Sequence, residues 1–394
     1  MNDTRRVYLD HAATTPMTDV AVEALTTQLR EVGNASSLHA AGRRARRIVE
    51  ESRETIAQAL GCRPGEVVYT SGGTEADNLA LKGLFWSRRA ESPRRTRILA
   101  SAVEHHAVLD PLLWLEEHEQ AEVELVAVDG AGRLDVDALR AAVERDPDTV
   151  ALITVMWANN EVGTLQPVAD VVALAAEHGI PVHSDAVQAI GAVPVDFATS
   201  GVDALAVSGH KVGGPQGVGA LVVRREVSLT PLLHGGGQER DVRSGTLDVP
   251  AIAGFAAAVE EAVKHQAEHA ARLTVLRDRL VDTVLVEVPD AVLNGPDGAD
   301  GNRLPGNAHL SFPGCEGDSL LMLLDARGIE CSTGSACSAG VPQPSHVLLA
   351  MGRSEEEARS SLRFSLGHTS TETDVDALAA AIGACVERAR AARA

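Results

Sequence analysis

Ala204-Leu205-Ala206-Val207-Ser208-Gly209-His210-Lys211-Val212-Gly213-Gly214-Pro215 is the stretch on which the fold turns. Its first five residues are apolar or small, the length and texture of a strand covered on both faces. The glycines and Pro215 then stop it. A lysine in such a turn, among glycines and a hydroxyl and outside any helical pattern, is poorly explained as a solvated surface charge. The only other lysines are Lys82, in a helical segment, and Lys264, in a polar helix; arginine supplies the rest of the 35 basic residues. Chemistry that needs a shielded amine nucleophile therefore has its best candidate in Lys211.

The same strand-and-turn texture repeats on both sides. Ile180 to His183 reads as a strand running into His183-Ser184-Asp185-Ala186-Val187-Gln188, and Gly219 to Val223 as another strand. Upstream, Glu66 to Thr70 is a strand after which Ser71-Gly72-Gly73-Thr74-Glu75 opens a helix. Arg97 to Ala100, Val123 to Val128 and Thr149 to Met156 are further strands. Pro167 to His178 carries apolar residues at helical spacing, with Pro at its start and Gly179 at its stop. Strands alternating with helices at this spacing predict an α/β fold with a mostly parallel central sheet, in a large domain over 15–266. After Gly254 the texture changes, and residues 256 to 285 form a long helical stretch rich in Ala, Glu and Arg. A smaller α+β domain is expected over 267–394, with residues 1–14 packed on it. Asn294 to Gly306, rich in Gly, Asp, Asn and Pro, is expected to be a surface loop.

Ligands of open α/β sheets bind beyond the carboxyl ends of the strands, and three clusters sit at such ends. Glycines and hydroxyls at Ser71 to Glu75 offer free N–H groups and a positive dipole end to an anion; a capping box would use similar residues. Asp185 could be a helix cap or the partner of a protonated ring nitrogen. Lys211 completes the set.

Composition narrows the function. A net charge of −20 disfavours direct binding to nucleic acid or to anionic membranes. The basic run Arg43, Arg44, Arg46 and Arg47, followed by Glu50 and Glu51, reads as a solvated helix face. No apolar run approaches the length of a membrane span, and the N-terminus has no signal-peptide pattern, so a cytoplasmic location is expected. The five cysteines are odd in number and contain no CxxC, which argues against structural disulfides and a zinc site; no metal is expected. Cys337 lies among Thr333, Gly334, Ser335, Ala336, Ser338, Ala339 and Gly340, a neighbourhood of small residues that suggests a mobile loop rather than a core. Cys331, in Gly328-Ile329-Glu330-Cys331, and Cys62, Cys315 and Cys385 read as structural thiols.

Read together, the three clusters resemble the aminotransferase-fold pyridoxal-phosphate enzymes. The chain is similar almost end to end to cysteine desulfurases of the NifS/IscS type, in the class V aminotransferase family. The resemblance runs through Tyr8 to Pro16, Gly33-Asn34-Ala35-Ser36-Ser37, Ser71 to Asn78, Glu104 to Leu109, Asn159 to Gly163, His234 to Arg240, Arg243 to Thr246, Gly334 to Ser338 and Ser361 to Gly367. It implies that Lys211 binds pyridoxal 5'-phosphate covalently, that Asp185 keeps the pyridine nitrogen protonated, and that His105 stacks on the ring and shuttles protons. Gly73, Thr74, Ser208 and His210 would hold the phosphate, Gln188 the ring oxygen, and Thr246 would reach in from the second subunit of a homodimer. Asn34, Asn160 and Arg363 would hold the L-cysteine substrate. Cys337 would take its sulfur as a persulfide, for an iron–sulfur scaffold or a tRNA-thiolating enzyme. Selenocysteine lyase, or another lyase or aminotransferase of this fold, is the alternative. Two features depart from the family: Trp157-Ala158 stands where many relatives have His-Val, which would alter the pocket wall, and the chain ends soon after its last helical pattern, where relatives often carry a scaffold-docking tail.

Overall fold

The computed structural model describes residues 6–299, 301–334 and 343–393. In chain order its first half comprises β1 (Val7–Tyr8), α1 (Asp19–Leu29), α2 (Ala40–Leu60), β2 (Val67–Thr70), α3 (Gly73–Glu91), β3 (Arg97–Ser101), α4 (His106–Glu119), β4 (Glu122–Val126), α5 (Val136–Glu144), β5 (Val150–Thr154), α6 (Val168–Glu177), β6 (Val182–Asp185), α7 (Phe197–Ser200), β7 (Ala204–Ser208) and β8 (Gly219–Val223). The second half comprises α8 (Val249–Lys264), α9 (Gln266–Glu287), β9 (Val292–Asn294), β10 (Asn307–Ser311), α10 (Gly317–Asp325), β11 (Ile329–Glu330), α11 (His346–Ala350), α12 (Glu355–Arg359), β12 (Ser361–Ser365) and α13 (Glu372–Arg393).

The central sheet has seven strands in the order β2-β8-β7-β6-β5-β3-β4. All neighbours pair in parallel except β8, which is antiparallel to both β2 and β7. The expected fold class is therefore present. Its strands read as continuous apolar runs because both faces are covered, and the two-residue period sends alternate side chains into different cores. Leu205 and Val207 join one cluster with Tyr69, Leu99, Ile153 and Val222, while Ala204 and Ala206 join another with Val68, Ile98, Ala100 and Leu221. The chain steps outward from β3 to β4 and then returns to the other side of β3 to form β5. The loops after β3 and β5 diverge there, and such a reversal is where an open sheet leaves a ligand crevice.

A separate apolar cluster joins β1, α9, α10, α13 and the antiparallel trio β12-β10-β9, with Phe312, Phe364 and Leu310 at its centre. The helical stretch read over 256–285 is two helices, broken at His265, whose φ of −100° and ψ of 8° leave the helical range. Side chains of α8, such as Phe255 and Val259, pack into the cluster on the large sheet, and those of α9, such as Leu280 and Val284, into the second cluster. The basic face of α2 is solvent-facing: Arg43, Arg44, Arg46 and Arg47 are exposed, with Arg47 near Glu51 and Arg44 near Glu31. Among the described residues, no helix is long and apolar enough to cross a membrane.

Candidate active site

The strand ends of the large sheet open into a cavity of about 370 Å³. Lys211 enters it from a short turn, Gly209–Lys211, that follows β7. Its ammonium donates to the carbonyl oxygens of Ala12 and Ala13 at 2.6 and 2.7 Å. Burial, helped by the nearby Arg363 guanidinium and opposed by Asp10 and Asp185, lowers its pKa to about 8, so a sizeable fraction is free amine near neutral pH. The Val212 to Gly214 backbone folds tightly behind it: a Cβ on Gly214 would meet the Gly209 carbonyl oxygen at 3.0 Å.

Asp185 closes β6 and faces the same cavity. Its Oδ1 accepts from the Val187 N–H at 2.9 Å. Burial raises its pKa to about 6, against the pull of that hydrogen bond and of Lys211, so it carries its charge at neutral pH. Gln188, also on the wall, donates to the Ala12 carbonyl at 2.9 Å.

The start of α3 forms the next side. Gly72 has φ +149°, a conformation that favours glycine, and no side chain caps this helix terminus. Instead Glu75 accepts from the Ser71 N–H at 2.7 Å and pairs with Arg243 at 2.7 Å. Burial would raise the Glu75 pKa, but these bonds hold it below the usual carboxylate range. Gly73 and Thr74 line the cavity beside Ser208 and His210. A Cβ on Gly73 would meet Val187 at 2.8 Å. The Ser208 hydroxyl is buried and has no partner among the described residues. An uncapped helix start, a backbone that only glycine allows so close, and an orphaned hydroxyl together fit a phosphate. His210 lies 3.3 Å from Thr14 Oγ1 and is held neutral, its pKa lowered to about 4 by burial and Lys211.

The loops after β3 and β5 supply the roof. His105 caps α4: its Nδ1 accepts from the Ala107 N–H at 3.0 Å, which places the ring proton on Nε2. Burial and Lys211 lower its pKa to about 4. Asn160 follows β5 and lines the cavity. Opposite stands Arg363, from β12 of the small sheet, which donates to the Asn160 carbonyl at 3.0 Å and to Asp10 Oδ1 at 2.8 Å and keeps a buried Nε without a partner among the described residues.

Ten expected residues thus meet in one cavity: Gly73, Thr74, His105, Asn160, Asp185, Gln188, Ser208, His210, Lys211 and Arg363. Asn34 and Thr246 are exposed and do not line it within the single chain. Cys337 lies outside the described residues, although Gly334, three positions before it, is on the rim. Cys331 packs against the second apolar cluster, and burial raises its pKa to about 12, as for a structural thiol. One expectation is corrected. Trp157 is not on this wall: the chain turns Met156 inward, while Trp157 lines a different cavity with Val168 and Val195 and packs on the large-sheet core. Its backbone N–H donates to the Asp185 carbonyl at 2.8 Å.

Sequence reasoning missed Asp10, Asp77, Glu104, Glu161 and His346. Asp10, Asp77, Glu104 and Glu161 stand inside quoted motifs, so the signal was present, but nothing local says which motif residues face inward. Ser345 Oγ donates to Glu161 Oε2 at 2.5 Å, and His346 Nε2 lies 2.8 Å from the Glu104 carbonyl. These contacts tie the segment after residue 342 to the loops over the sheet.

The family model of the class-V aminotransferases matches residues 7–378. An "IscS-like cysteine desulfurase" of Mycobacterium tuberculosis is 59% identical over 385 residues, covering 98% of this chain and 97% of that protein. "Cysteine desulfurase IscS" of Dictyoglomus turgidum is 44% identical, covering 94% and 92%. Among solved structures, a "NifS-like protein" superposes with a TM-score of 0.89 at 37% identity, covering 98% of this chain and all of that one.

Proposed function

The chain belongs to the class-V aminotransferase family, and from that premise we propose that it is a pyridoxal-phosphate-dependent cysteine desulfurase. The observation that carries this reading is the convergence of Lys211, Asp185, Ser208, His105 and Arg363 on one cavity with Gly334 at its rim. The relatives named as cysteine desulfurases support the choice of substrate.

Pyridoxal phosphate, when bound, supplies an electron-accepting ring conjugated to the substrate amine. Lys211 would hold it, Gly73, Thr74, Ser208 and His210 its phosphate, Gln188 its ring oxygen, and Asp185 its pyridine nitrogen. Arg363 orients cysteine through its carboxylate, assisted by Asn160. Lys211 Nζ, close to neutrality, takes the Cα proton. His105, neutral and with its proton on Nε2, is placed to pass protons across the face of the site. The Cys337 thiolate attacks the substrate Sγ. An S–S bond forms as Cβ–Sγ breaks, the bonding pair stays with Cβ, and two protons complete alanine, one on its methyl group and one returned to Cα by Lys211. The persulfide passes to an acceptor protein, an iron–sulfur scaffold or a tRNA-thiolating enzyme.

The exposure of Asn34 and Thr246 supports a homodimer in which a second subunit brings such residues to the site; sedimentation of the active enzyme checks it. The central test compares Cys337→Ser with Cys331→Ser for alanine release and protein-bound persulfide mass. Cys337→Ser should bind the cofactor, release almost no alanine and carry no sulfur, while Cys331→Ser stays largely active. Native alanine release by Cys337→Ser would hand the site to selenocysteine cleavage or simple elimination.

A further inference from the structure

Beneath Asp185 lies a second layer of acids and a base that the roles above leave unused. Asp77, one turn into α3, is fully buried and contributes to the cavity wall. Neither of its carboxyl oxygens has a hydrogen-bond partner among the described residues. His183 Nε2 approaches Asp77 Oδ1 to 3.3 Å and likewise makes no aligned hydrogen bond, while its Nδ1 lies 2.9 Å from Thr154 Oγ1. The two-residue period of β6 puts His183 and Asp185 on one face of the sheet, so Asp77 descends from α3 onto the face that carries Asp185. A third carboxyl, Glu104, is also fully buried; Oε1 accepts from the Met156 N–H at 2.7 Å and Oε2 has no partner.

Three carboxyls buried close enough to repel one another cannot all ionise. Burial, then Asp185 and Glu104, raise the Asp77 pKa well above the usual range. Burial, against the Met156 N–H and with a further push from Asp185, takes Glu104 to about 8. His183 is lowered to about 3 by burial, so it stays an uncharged base. Asp185 alone is relieved by a positive neighbour, Lys211. An un-ionised Asp77 has one O–H to place, and the base beside it is His183 Nε2. With that bond made, the His183 ring proton sits on Nδ1 and is donated to Thr154 Oγ1, so both ring nitrogens of His183 have partners. An ionised Asp77 would instead raise the proton affinity of Asp185 and discharge it.

We propose that Asp77 is a positioning residue of the cofactor site: as an un-ionised acid it donates to His183 Nε2 and leaves the negative charge of the buried cluster on Asp185. This rests on the assignment of Asp185 to the pyridine nitrogen. It also makes Asp77 a neutral hydrogen-bond donor whose charge would be harmful.

The test combines infrared spectroscopy with cofactor affinity, using the holoenzyme and the cofactor-stripped protein at neutral pH. The native protein should show two buried carboxylic-acid C=O bands, one lost in Asp77→Asn and the other in Glu104→Gln. Asp77→Asn keeps a neutral N–H donor toward His183, so it should bind pyridoxal phosphate within about threefold of native and with the same visible absorbance. Asp77→Ala strands His183 and should weaken binding at least about tenfold. A missing Asp77 acid band, or an Asp77→Asn variant that loses the cofactor as fully as Asp77→Ala, overturns the proposal. Should Asp77→Ala fail to fold, the acid band and the Asp77→Asn affinity still decide. Failure of the native protein to bind the cofactor would instead sink the functional reading, and the band of the stripped protein would separate that failure from this one.

Discussion

The two walls of the cavity are finished to different degrees. On the large-sheet side the Ser208 hydroxyl stands without a partner among the described residues, and no side chain caps the start of α3. On the small-sheet side Arg363 already engages Asp10 and the Asn160 carbonyl, with a single nitrogen unpartnered. Leaving a buried polar group unpaired costs about 1–3 kcal/mol, so the wall with more orphans suits a ligand that stays. The wall with internal partners suits one that comes and goes, since Asp10 can hold the Arg363 guanidinium between visits. In the function proposed above, the first wall is the cofactor's and the second the substrate carboxylate's.

The sharpest way to break this comparison is at Lys211, the group that belongs to the resident wall. Lys211→Ala should lower turnover by at least about a thousandfold and abolish the visible absorbance of the bound cofactor, with the circular dichroism of the fold unchanged. Normal turnover would remove Lys211 from the chemistry.

On the transient wall, Arg363→Ala should cost about 2–4 kcal/mol of substrate binding, roughly thirtyfold to a thousandfold in Michaelis constant, while cofactor content stays native. Loss of the cofactor in this variant would show that the walls do not divide their labour.

A smaller effect is the pH dependence of cofactor capture. The attacking species is the free amine, and the Lys211 pKa is lowered to about 8. The rate at which stripped protein captures pyridoxal phosphate should therefore rise with pH and level off above about 8. An unshifted lysine would go on gaining to about pH 10, and stopped-flow absorbance distinguishes the two profiles.

Least affected should be Trp157→His. Because Trp157 packs on the core behind the site, kcat/KM should stay within about twofold while stability falls by about 1–3 kcal/mol. A large change in substrate preference with unchanged stability would return Trp157 to the pocket wall.

Much of the site could be read before the fold was known, because Ser71 to Glu75, His183 to Gln188 and Ser208 to Pro215 each join a buried strand to a turn at its carboxyl end. Strand period and turn residues are local properties, and they placed β2, β6 and β7 within a residue or two. The outward reach of Asn34 and Thr246 within one chain, and the inward reach of Asp77, had no such local mark. Nor did the break at His265, since helical periodicity continues through it in sequence and only the packing of α8 and α9 on different cores divides them.

By itself the sequence determined the alternating α/β order, the mostly parallel sheet, the singling out of Lys211 among three lysines and the family to which the motifs belong. Tertiary structure alone decided that Asp10 would pair with Arg363 across 353 positions, that Trp157 would face away, and that the buried carboxyls of Asp77, Glu104 and Asp185 would come close enough to repel one another. The reason is physical: periodicity and turn chemistry act over a few residues, whereas burial and charge coupling arise only when distant segments are packed together and water is excluded.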